Sequence, residues 1–228
     1  MKNWESYKGK HDELMARWKA IFHEDAVTKG FATDGIFSPR WFENEGERVL
    51  FLLKEPYVKS GIPCEWNHCG WFLSGNNGNI INRFAEWMYG IQRTKKYFQP
   101  TYDNWLGTDS VADYNKIREN LLSQCALINL KKIGNPTSST SDLIGYTTSA
   151  KALIKEQIEL INPSVIICGA TYELLRIVYP ELPEGKNRYN EGYLLNGWKV
   201  ISTYHPIYSG VSAKRKFENI ITTYHSLL

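Results

Sequence analysis

The sequence has no run approaching the ~20 apolar residues that a membrane-spanning helix requires, and its start, "MKNWESYKGKHDEL", carries no apolar signal segment. The first lack excludes a helical membrane protein. With the second, it sets the expectation of a cytoplasmic protein. Cysteine is scarce, with four in 228 residues, and Cys125 and Cys168 lie inside the apolar runs "CALINL" and "VIIC", where a thiol acts as a small core hydrophobe. A disulfide framework is therefore not expected. Net charge is small, at +3, which permits an anionic partner but lacks the strongly basic signature of a dedicated nucleic-acid binder. Repeats, low-complexity blocks and long linkers are also missing. One domain over residues 1–228 is the simplest organisation, with 1–48 as a helical and aromatic extension packed on it.

What is present is a set of short apolar runs bounded by turn residues: "VLFLL", "CALINL", "SVIIC" and "KVIST". None alternates polar with apolar, which suits strands buried on both faces. Between them, apolar residues recur at helical spacing. Leu14, Trp18, Ile21 and Phe22 make one stripe, and Tyr114, Ile117 and Leu121 make another after a Ser110 and Asp113 capping pattern. Leu153, Ile154, Ile158 and Ile161 make a third, stopped by Pro163; Phe217, Ile220, Ile221 and Tyr224 make the last, with Ser212 as N-cap. The pattern predicts an α/β fold of three layers, α/β/α, around a central, mainly parallel four-stranded sheet. Asn196-Gly197, in "YLLNGWKV", predicts that the last core strand is entered through an antiparallel hairpin.

Ligands of open parallel sheets bind beyond the carboxyl ends of the strands. The first strand delivers Lys54, Glu55, Pro56 and Tyr57 there; the second delivers Asn129, Lys131 and Lys132; the third delivers Gly169 and Ala170; the fourth delivers Tyr204, His205 and Pro206. A carboxylate, an amide, two lysines and a histidine are thus expected on one edge. The polar stretch "GNPTSSTSD" is long enough to be a functional loop.

Four segments in this order, "LLKEPY", "ALINLKK", "KEQIELINPSVIICGATYELL" and "VISTYHPIY", resemble the motifs of the uracil-DNA glycosylase superfamily. The resemblance runs from about Val49 to the C-terminus. It implies a uracil-DNA glycosylase-like fold and a DNA-repair activity: excision of uracil or a related deaminated base by hydrolysis of the N-glycosidic bond. It implies Glu55 as the carboxylate that orients water and offsets positive charge on the sugar, and His205 as donor to the departing base. Asn129 would pair with the base edge, Tyr57 would crowd out a thymine methyl, and Phe72, with Trp71 close behind, would supply the stacking ring. An amide can donate and accept at once, matching a uracil edge that offers both functions.

Contacts to DNA are assigned to Lys132, to Lys214, Arg215 and Lys216 in the first turns of the last helix, and to Tyr208 and Val211 as wedge candidates. The expected partner is single- or double-stranded DNA or a free nucleobase, bound by a monomer. Leu53, Lys54, Glu55 and Ile207 depart from the family pattern, which keeps open a catalytically inactive member that binds nucleic acid or a nucleobase. The cysteine spacing fits no iron-sulfur cluster, so no metal or cofactor is expected. A zinc deaminase is the rival enzyme, because His11–Glu13 gives H-x-E and Pro63-Cys64 precedes Cys69, but the second cysteine arrives two residues late.

Overall fold

The computed structural model describes residues 2–56, 65–74, 78–107, 111–134, 140–187 and 189–228, with the side chains of residues 2, 111–115, 117, 140 and 141 left aside. Tyr57, Cys64, Ser110, the Asp113 side chain and most of the 134–142 loop lie outside the described residues. In chain order the strands are β1 (Phe31–Thr33), β2 (Gly35–Ile36), β3 (Val49–Leu53), β4 (Glu65–Asn67), β5 (Cys125–Asn129), β6 (Val165–Gly169), β7 (Glu191–Leu195) and β8 (Trp198–Thr203).

The central sheet has six strands, not four, in the order β2-β5-β3-β6-β8-β7. The four expected runs are its parallel centre: β5, β3, β6 and β8. Two short edges, β2 against β5 and β7 against β8, are antiparallel. The sheet is therefore mixed. β2 has only two residues, too few for a period to show; β7 reads as an amphipathic edge because only its last residue is buried. Asn196 and Gly197 both take positive φ, 50° and 84°, as the two-residue turn between β7 and β8 demands. β1 and β4 form a separate parallel pair.

All five residues of β3 are buried, yet they serve two cores. Leu50 and Leu52 face a cluster built with the helices Lys2–Ile21 and Lys151–Ile161, including Leu14, Trp18, Ile154 and Ile158. Val49, Phe51 and Leu53 face the opposite cluster, with Phe84 and Trp87 from the helix Gly78–Arg93 and Phe217 and Ile220 from the helix Ala213–His225. The period of two along a strand explains why no polar residue interrupts the run: both faces are covered by helices. Ser212 caps the last helix by accepting from the Arg215 amide at 3.2 Å.

Ile21 departs from its predicted stripe. It is 62% exposed, because the first helix ends there and the chain turns, leaving Phe22 to stack on Tyr146 at 4.3 Å. Among the described residues no helix is long and apolar enough to cross a membrane.

Candidate functional site

The parallel register aligns the strand ends. Leu53 is opposite Asn129 across β3 and β5, and Gly169 is opposite Thr203 across β6 and β8. Two residues beyond Leu53 comes Glu55, and two beyond Thr203 comes His205. Gly169 lets the two loops close on each other, since a Cβ there would lie 2.7 Å from Leu53 Cδ2 and 3.2 Å from Pro206 Cδ. Beyond this edge opens a cavity of about 670 Å³, bordered by Glu55, Asn129, His205, Phe72, His68 and Ile207 among others. That volume is in the range of small-molecule binding sites.

Glu55 is held by Lys131. The ammonium lies 3.6 Å from its carboxylate and 2.5 Å from that of Asp142, and both Glu55 and Lys131 side chains are buried. His205 is partly buried, and its imidazole is held down to about 4, first by burial and then by the ammoniums of Lys54 and Lys216. It is neutral at pH 7 and has one N–H to donate. The two cations that disfavour an imidazolium favour an anion placed beside it.

Asn129 is fully buried. Its Nδ2 donates to Asp34 Oδ2 at 3.2 Å and to His68 Nδ1 at 2.8 Å. Both amide hydrogens are therefore committed within the protein, and the expectation that this side chain donates to a base as well as accepting is corrected. Its Oδ1 is the amide atom with no hydrogen-bond partner among the described residues, and it is buried like the rest of the side chain. Phe72 borders the cavity, and one face of its ring is taken by His68, stacked at 4.4 Å. The aromatic wall is thus the His68–Phe72 pair. Trp71 does not border the cavity and is 38% exposed. Tyr57 lies outside the described residues.

Two of the assigned DNA contacts are corrected. Lys132 is inaccessible: the chain past β5 bonds to the N-terminal segment, where the Ala32 amide donates to the Lys132 carbonyl, and the ammonium is paired with Asp34 at 2.5 Å. Lys216 is 3% exposed and donates to the carbonyls of Pro206 at 2.9 Å and Tyr208 at 2.5 Å. It pins the loop that follows His205. Lys214 and Arg215 are exposed, as a phosphate contact requires. Tyr208 is half-exposed with its ring stacked on Tyr204 at 5.5 Å, and Val211 is partly buried.

Three residues near the cavity are not found by sequence reasoning. Asp34, in "FATDGIF", looks like a turn residue. His68 hides beside the more conspicuous aromatics of "HCGWF". Ile207 is exposed and lines the cavity, as neither wedge candidate does. Cys69 is buried, and its thiol donates to the Gly35 carbonyl. The chain matches no protein-family model and no curated protein.

Proposed function

We propose that the cavity receives a base flipped out of DNA, and that the protein is a divergent uracil-DNA glycosylase-like enzyme hydrolysing the N-glycosidic bond of uracil or a related deaminated base. One observation carries the reading: Glu55, Phe72, Asn129 and His205, taken from four separate stretches of the sequence, border a single cavity.

Breaking an N-glycosidic bond builds positive charge on the sugar and negative charge on the base, so groups that oppose those charges act more strongly in the transition state than in the ground state. In this reading Glu55 orients the attacking water and faces the sugar cation. His205 donates its N–H to a base carbonyl, with Lys54 and Lys216 favouring the departing anion. Asn129 Oδ1 accepts an N–H of the base, and Phe72 flanks its ring. Tyr57 is assigned the exclusion of thymine.

A second reading, a member that binds DNA or a free base without cutting, is favoured by the Glu55–Lys131 ion pair, which gives the carboxylate a structural partner. Release of free base from single- and double-stranded oligonucleotides carrying uracil, hypoxanthine or xanthine decides between them. Glu55→Gln and His205→Ala are each expected to lower release by about 10²- to 10³-fold. DNA binding without release from any substrate selects the second reading, and release undiminished in both variants removes these residues from the chemistry.

A further inference from the structure

The polarity of the cavity wall is set by a carboxylate that does not border it. Asp34 is buried and receives four donors: Lys132 Nζ at 2.5 Å, Gln157 Nε2 at 2.9 Å, the Asn129 backbone N–H at 2.7 Å and Asn129 Nδ2 at 3.2 Å. A carboxylate in an ion pair accepts only, so the amide of Asn129 must turn its nitrogen toward Asp34 and its oxygen away. The second hydrogen on Nδ2 points at His68 Nδ1, 2.8 Å away. That nitrogen must therefore accept, which places the proton of the neutral ring on Nε2. Burial keeps the ring neutral, pushing it down to about 4.

The result is an ordered wall. Asn129 presents an acceptor, the buried Oδ1, which has no hydrogen-bond partner among the described residues, and His68, lining the same cavity, presents a donor, Nε2–H. His205, on the same cavity, offers a second donor. We propose that His68, Asn129 and His205 read the imide edge of a base, C=O, N–H, C=O, as donor, acceptor and donor, with His68 the residue that selects for it. This rests on the reading of the cavity as a base pocket. Uracil and xanthine carry the full imide edge. Hypoxanthine presents only its carbonyl and N–H. Cytosine and adenine place an amino group where the wall requires a carbonyl, so a donor in the wall goes unmatched, and unmatched buried donors are what make such sites selective.

The test is equilibrium binding of free uracil, xanthine, hypoxanthine and cytosine to the parent protein, His68→Phe and His68→Gln, with the ¹⁵N spectrum of the His68 ring recorded in the parent. Expected are a preference for uracil and xanthine over cytosine of about 10-fold or more, and a 10- to 100-fold loss of uracil affinity in His68→Phe. His68→Gln, which keeps an N–H donor, retains most of the preference, and Nε2 is the protonated nitrogen. Equal affinity of parent and His68→Phe for uracil, or a proton on Nδ1, overturns the assignment of His68. Uracil and cytosine bound alike overturn the imide reading while leaving the base pocket standing. A parent that binds none of these bases removes the pocket reading itself, and this inference with it.

Discussion

His68 and His205 are both held near 4 by burial, and for His205 two neighbouring ammoniums act in the same direction. An unfolded histidine titrates near 6.5. Between these values the unfolded chain takes up protons that the folded chain refuses, so folding weakens as the pH falls from about 6.5 through about 4. Above 6.5 both rings are neutral in either state and the penalty is absent. Each ring contributes a slope of at most about 1.4 kcal/mol per pH unit within that window. NMR titration should therefore give midpoints near 4 for both imidazoles. The stability gap between the parent and His68→Gln should narrow as the solution is acidified, and activity should be flat between pH 6 and 8 because His205 donates as a neutral ring.

At the scale of elements, the close approach of β3, β6 and the loop after β8 depends on one absent side chain. A methyl at Gly169 would lie 2.7 Å from Leu53 Cδ2. Gly169→Ala is expected to cost about 1–3 kcal/mol, as other overpacked core positions do. Because the same methyl presses on Pro206, it should also displace His205 and weaken base binding. Chemical denaturation and base binding measured on this variant check both expectations; unchanged stability with intact binding would mean the loops do not meet through this glycine. The four central strands, their common direction and the hairpin at Asn196-Gly197 were legible because continuous apolar runs and turn residues are local signals. The two edge strands were not, one being two residues long and the other half-exposed.

At the scale of the molecule, five basic residues near the strand ends and in the last helix divide into two populations that their order in the chain does not distinguish. Lys131, Lys132 and Lys216 are buried and bind carboxylates or carbonyls. Lys214 and Arg215 face solvent, with Lys214 in a loose pair with Asp103 at 3.6 Å. If DNA is the partner, only the second population releases counterions. Replacing Lys214 and Arg215 by alanine is then expected to lower the slope of log K against log salt by up to about 2, with affinity falling on every sequence alike. Binding isotherms between low and physiological salt measure it, and an unchanged slope would place the DNA on another face.

The candidate site shows the same division between near and far. Glu55, Asn129 and His205 were legible because each stands at or just past the end of a strand, and parallel strands bring their ends to one edge. The state in which each side chain serves was not. Asn129 meets Asp34 across 95 positions of sequence and His68 across 61, and Lys132 meets Asp34 across 98. Burial period and turn chemistry, which act over a few residues, determined the elements and the positions they deliver. Only folding decided which donors remained for a ligand, because a hydrogen bond is allotted by whichever distant groups the packed chain brings within reach.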